Sequence, residues 1–357
     1  MMPEDIYREL RKGIDQLSFG FPETASGIEF AILRKLFSEE DAATWLLLKP
    51  RLETSEEIAQ RTGRSPEETA DHLHDMAERG LIYRVRRGDA VQYATIGFMH
   101  GIWEFQLATM DSEFAAMAAK YMNDEAYRAV LTRATPGFVR TIPVQRSLDA
   151  TRHVTAFEDA SRFLREAETI AVAECICRKS EDLVGRGCDK PREVCFMMGA
   201  MGQYYLDRGM ARKVGVDEAI KILGEAQEAG LVTQPATSQN PGGMCNCCGD
   251  CCVVLQALNQ HPRPADAVFS NYFAAVDQEI CDGCETCLDR CQTTAISMNE
   301  DEHSEIDSSR CIGCGLCVIT CQTEALSLIP KPEERRRTPP PDSMGQLDLI
   351  RQLRKPI

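Results

Sequence analysis

Eight cysteines between residues 281 and 321 fall in two runs, ICDGCETCLDRCQTTAI and RCIGCGLCVITCQTEALSL. Each run reads C-x-x-C-x-x-C-x-x-x-C, and the second repeats the first 30 residues later. Thiolates are soft ligands, and three of them at i, i+3 and i+6 on a tight loop can grip three corners of one iron-sulfur cubane. The fourth corner then takes a ligand from elsewhere in the chain. Gly283, Gly313 and Gly315 let the backbone turn sharply, so that amide N–H groups point at the sulfides. Zinc ribbons pair C-x-x-C knuckles and have no use for four cysteines per run twice over. Ala295-Ile296 and Ala325-Leu326 follow the two runs and are expected to wall the clusters from water.

The segment 275–330 resembles the bacterial two-cluster ferredoxin domain. The resemblance implies a pseudo-twofold β-α-β fold with two 4Fe-4S clusters, in which the fourth cysteine of each run crosses to the other cluster. On that pattern cluster I takes Cys281, Cys284, Cys287 and Cys321, and cluster II takes Cys311, Cys314, Cys317 and Cys291. The family usually places proline after the fourth cysteine, whereas this chain has Gln292 and Gln322. Glutamine restores a backbone donor and adds an amide, either of which can bond a cluster sulfur and raise the potential.

Nine further cysteines lie upstream: Cys175, Cys177, Cys188, Cys195, Cys245, Cys247, Cys248, Cys251 and Cys252. A C-x-C facing C-x-C-C-x-x-C in two polar, glycine-rich loops asks for metal. A third iron-sulfur cluster is the expected occupant, with zinc as the alternative. The first-choice ligands are Cys175, Cys177, Cys245 and Cys248, followed by Cys188, Cys195, Cys247 and Cys251. Cys252 opens the apolar stretch VVLQAL and reads as a buried small side chain. Arg178 is placed to donate to a sulfide or to neutralise cluster charge.

The elements that must position these groups read as an α+β chain. Residues 1–27 read as an N-terminal arm and 28–99 as a helical set followed by two strands about Arg87-Gly88-Asp89. Thr54 with Glu57, and Ser65 with Pro66, mark helix starts. Helix, helix, turn, helix and β-wing in that order resemble a winged helix-turn-helix domain. Residues 100–270 read as a mostly helical Cys-rich domain, 271–330 as the ferredoxin-like dicluster domain, and 331–357 as a flexible Pro-rich tail.

Winged helices often bind DNA, and here the charges weigh against it. Residues 53–80 carry eight acids against three bases, and phosphate contacts by bases supply most DNA affinity. Arg84, Arg86 and Arg87 on the wing are the exception. With 55 acidic and 40 basic side chains the net charge is −15, which favours basic partners. The start MMPEDIYREL lacks the features of a signal peptide, and no apolar run suits a membrane span. Seventeen cysteines, an odd number, suit metal thiolates in a reducing, cytoplasmic and anaerobic setting.

No phosphate loop, dinucleotide fingerprint or Ser/His/Asp arrangement is present. The expected role is low-potential electron transfer, as a free carrier or as a subunit of a larger redox complex, between protein donors and acceptors. Two alternatives come from other classes: an iron-sulfur redox-sensing transcriptional regulator acting through the winged helix, and a reductase with a catalytic cluster in the middle domain.

Overall fold

The computed structural model describes residues 3–133, 137, 139–148 and 156–353. They form two compact units. The first comprises residues 1–130, 180–186 and 203–210, and the second comprises 131–179, 187–202 and 211–357.

In the first unit, α1 (Pro3–Asp15), α2 (Ile28–Leu36) and α3 (Glu39–Leu47) precede β1 (Glu53–Thr54), α4 (Ser55–Thr62), α5 (Pro66–Glu78), β2 (Tyr83–Arg87) and β3 (Ala90–Ala94). Three starts are fixed by reciprocal caps, Ser38 with Asp41, Thr54 with Glu57 and Ser65 with Glu68. Each satisfies two backbone donors that a helix end leaves orphaned. The strands form an antiparallel sheet in the order β1-β3-β2. Two more helices follow, α6 (Ser112–Met122) and α7 (Glu125–Arg133). The segment read as an arm is part of the core, because Leu10, Ile14 and Phe21 are fully buried. Beyond α1, Phe21 packs tilted against Phe98 and Tyr121 with centroids 4.5 and 4.7 Å away, so the segment carries too much apolar surface to stay loose.

Charge is unevenly placed on this unit. Glu67, Glu68, Asp71, Asp75 and Glu78 are all exposed on α5. Arg84, counted among the basic wing residues, is instead buried and donates to Glu78 at 2.6 Å. Beneath α5, the buried Asp41 accepts two bonds from Arg79, at 2.7 and 2.9 Å. Burial pushes the Asp41 carboxyl up, but Arg79 and Ser38 outweigh it and hold it below the usual aspartate value. Its contribution is therefore complete at neutral pH and lost as pH falls through the lowered value. Asp41→Ala is expected to destabilise this unit by about 2–4 kcal/mol, since it strands Arg79 and opens a cap. Trp45 and Trp103, the chain's two tryptophans, both lie in this unit and report its urea unfolding. A loss that does not shrink in acid would contradict the pairing.

The second unit is built on a five-stranded antiparallel sheet, which the expectation of a mostly helical middle domain did not include. Its elements are α8 (Ala160–Glu166), β4 (Ile170–Glu174), the start of α9 (Ile176–Leu183), β5 (Glu193–Met198), the start of α10 (Gly199–Asp207), β6 (Ala211–Lys213), α11 (Val216–Glu228), β7 (Val232–Pro235) and β8 (Gly243–Cys247). The strand order is β6-β4-β5-β8-β7. CFMM fits helical and strand periods alike, so its continuation into α10 disguised β5. Strand side chains alternate between faces. Val172, Phe196, Met198 and Met244 go to one face and pack on Phe163, Leu164 and Leu223 of α8 and α11. Cys195, Cys245 and Cys247, one step out of phase, go to the other.

After α12 (Val253–Gln260) and the short α13 (Pro264–Ala267), β9 (Tyr272–Val276) leads into the first cysteine run, then α14 (Thr286–Arg290) and β10 (Ile296–Met298). The chain returns through β11 (Ser304–Ile306), the second run and β12 (Leu326–Pro330). β9 pairs with β12 and β10 with β11, both antiparallel, so the repeat closes on itself. The tail is not free over its first part. Gln239 and Asn240 donate to the carbonyls of Pro339, Pro340 and Pro341, and Asn271 bonds Arg337 in both directions. It continues into α15 (Ser343–Leu353), where Ile350 is buried. Residues 354–357 lie outside the described ones.

Candidate metal centres

The two cysteine runs are held by close backbone contacts. A Cβ at Gly313 would strike the Tyr272 carbonyl and one at Gly315 the Ser147 hydroxyl, and both residues have positive φ. Only glycine fits there. Backbone N–H groups then reach the sulfurs: Ala274 donates to Cys311 at 3.3 Å, Ala295 to Cys291 at 3.1 Å and Ser304 to Cys281 at 3.5 Å. Cys291, Cys311, Cys314 and Cys317 line one cavity together with Ala274 and Ile306. Burial pushes Cys314 up to about 12 and raises Cys311 and Cys317. Thiols so placed resist becoming thiolates unless a cation supplies the missing charge.

The other four residues assigned to the dicluster segment are more open. The Ser304 hydroxyl and N–H hold the Cys281 thiol below its ordinary value, while burial raises Cys287, which lies beside Cys281 and Cys284. Cys284 is exposed. Cys321 packs on the same apolar cluster as Cys287 and meets Thr323 at 3.6 Å. Gln292 does not serve a cysteine sulfur with its side-chain oxygen, which accepts the Gly249 N–H at 2.6 Å. Its carbonyl accepts from Asn259 at 3.0 Å. The departure from proline thus ties the first run to the upstream cysteine loop.

The nine upstream thiols divide into two sets. Cys175 contacts Cys177 and Cys195, Cys177 also contacts Cys252, Cys195 also contacts Cys245, and Cys247 contacts Cys245 and Cys252. Neighbour to neighbour, these six form a closed ring that includes the strand residues Cys195, Cys245 and Cys247. Hydrogen bonds from ring neighbours hold Cys175 and Cys252 well below an ordinary thiol, and the same contacts with burial raise Cys177, Cys195 and Cys247. Cys188, Cys248 and Cys251 form the second set, their sulfurs all within 4.8 Å of one another.

The first-choice set of Cys175, Cys177, Cys245 and Cys248 is therefore not brought together, because Cys248 belongs to the trio. Sequence reasoning also missed Cys252. It is buried, as its place before VVLQAL suggested, and packs with Leu255 and Leu258 of α12 while also meeting Cys177 and Cys247. The doubled Cys-Cys pairs were the available signal, since neighbours in the chain point apart. Cys247 and Cys252 go to the ring, and Cys248 and Cys251 to the trio.

Arg178 is 1% exposed, and its Nη2 donates to the Asn246 carbonyl at 3.0 Å. Its Nε and Nη1 have no hydrogen-bond partner among the described residues. Burial opposes its charge, but Cys175, Cys248, Cys247 and Cys195 outweigh this and raise its pKa. Two orphaned donors buried against thiols suit anionic sulfur, which favours a metal-sulfur occupant over bare thiols. Cys245, Cys247 and Cys252 share one apolar cluster with Cys314, Ile312 and Leu316 of the second run.

No helix among the described residues is long and apolar enough to cross a membrane. Comparison with curated proteins and with solved structures returned no match. Residues 280–325 match the 4Fe-4S dicluster domain family, and the segment spanning both cysteine runs is accordingly an iron-sulfur domain.

Proposed function

We propose that the chain is an electron carrier, or the electron-transferring subunit of a redox complex, with two 4Fe-4S clusters at 281–321 and a third iron-sulfur centre in the six-thiol ring. Cluster I takes Cys281, Cys284, Cys287 and Cys321; cluster II takes Cys311, Cys314, Cys317 and Cys291. Each cluster supplies a one-electron step at low potential. The chain's residues bind it through thiolates, stabilise negative charge with the N–H groups of Ala274, Ala295 and Ser304, and exclude water with Ile312, Leu316 and Leu328.

The observation that carries this reading is the cavity that Cys291 shares with Cys311, Cys314 and Cys317, one cysteine from the first run and three from the second. An order of transfer follows from exposure. Cys284 is exposed and Ile280 is 48% exposed, so cluster I is the contact for a redox partner. Cluster II and the ring lie deeper and share an apolar core. The net charge of −15 suits partners with basic docking surfaces. A winged helix with an acidic α5 and a neutralised Arg84 fits a docking or structural role better than DNA recognition.

Anaerobically purified protein is expected to hold about twelve iron and twelve sulfide per chain, four of each per cubane. Reduced protein should show interacting EPR signals and pass its electrons to methyl viologen. Fewer than about eight iron in intact protein would overturn the assignment.

A further inference from the structure

We propose that Cys188, Cys248 and Cys251 form a mononuclear site for a thiophilic divalent ion, zinc first, with its fourth coordination position left to a non-protein ligand. Its three sulfurs are none of those that form the six-thiol ring.

Spacing separates the two. A tetrahedral ion with metal–sulfur bonds of about 2.3 Å sets its sulfurs about 3.8 Å apart. The Cys188 and Cys248 sulfurs are 3.9 Å apart, and Cys251 completes the triangle within 4.8 Å. Among the described residues no three sulfurs of either cluster run converge in this way, and neither do three of the ring. Cysteines assigned to a cubane stand around a cavity, as Cys291, Cys311, Cys314 and Cys317 do. The trio's spacing is that of sulfurs on a single ion.

Cys248 and Cys251 sit on the loop between β8 and α12, and Cys188 on the segment before β5. No fourth His, Cys, Asp or Glu among the described residues joins the group. Three protein ligands with one position left to water is the arrangement of zinc sites that act on a ligand, whereas structural zinc sites are closed by four. Three thiolates on a dication leave one negative charge, and the buried Arg178 lies against Cys248 to balance it. Its two unpartnered donors are free to bond thiolate sulfur.

The test is metal analysis and zinc-edge X-ray absorption on the full chain, purified anaerobically and supplied with zinc sulfate. The expected result is about one zinc per chain, with about three sulfur neighbours and one oxygen or nitrogen neighbour. Cys188→Ser with Cys251→Ser should release that zinc and leave iron, sulfide and cluster EPR unchanged. Failure of the electron-transfer reading would show instead as missing iron with zinc retained. Three results overturn the zinc site: no zinc bound by the wild-type chain, four sulfur neighbours at the zinc, or loss of about four iron from the double variant, which would make the trio cubane ligands. Zinc binding by the wild type decides the matter even if the double variant does not fold.

Discussion

A chain carrying Cys177→Ala and Cys252→Ala is expected to purify with about eight iron in place of about twelve, two cubanes where the parent has three. The two thiols are direct neighbours in the ring, Cys177 from the first turn of α9 and Cys252 from the residue before α12. Removing both opens the ring on one side and leaves four cysteines that no longer surround a centre. The EPR signals of the two clusters at 281–321 should persist, because none of their assigned ligands is touched. Cys252→Ala alone is the sharper comparison. If Cys175, Cys177, Cys245 and Cys248 were the ligands, as spacing first suggests, Cys252→Ala would be silent and Cys248→Ala would cost about four iron. The ring predicts the reverse, and a loss of about four iron from the Cys248→Ala chain would sink it. Far-UV circular dichroism on the same samples separates cluster loss from unfolding.

That contrast marks how far the sequence could be read. The eight cysteines of the two runs declare themselves because their ligand spacing is local: three thiols within seven residues meet on one loop whatever surrounds them. Helix starts at Thr54 and Ser65 were legible for the same reason, a cap being a contact across three residues, whereas the cap at Ser38 went unread within a longer helical stretch. The upstream site is assembled from β4, α9, β5, β8 and the start of α12, and its ligands converge only once the sheet order is known. Cys195 and Cys245 reach the same face because β5 pairs with β8, which no local spacing records. The expectation of helices over 100–270 hid this, since a sheet of short strands flanked by helices carries few residues of strand character. Gln292 shows the same limit from the other side. Its type was noticed as a departure, but its partner, Gly249, lies 43 residues away. The tail was misjudged because proline and charge suggest disorder, while its anchoring bonds use proline carbonyls, which any sequence can offer.

Arg178→Gln is expected to lower the reduction potential of the ring centre on the order of 100 mV. At an effective dielectric constant of about 20 and a separation of about 6 Å, a unit charge is worth about 3 kcal/mol, and for one electron about 1.4 kcal/mol corresponds to about 59 mV. The sign follows from charge: reduction adds a negative charge, the buried guanidinium stabilises it, and without Arg178 the electron is harder to add. Screening is weak here because Arg178 is 1% exposed, so added salt should not erase the shift. Clusters I and II serve as the internal control in one EPR-monitored redox titration, since the thiols Arg178 faces are Cys175, Cys248, Cys247 and Cys195. Arg178→Lys should restore part of the potential, as it keeps the charge. It should not restore resistance to iron chelators, because a lysine lacks the planar fork that offers two donors to sulfur while Nη2 holds the Asn246 carbonyl. An Arg178→Gln chain with an unmoved ring potential would mean that the guanidinium neutralises no charge at this centre, and its buried, unpartnered nitrogens would then need another cause.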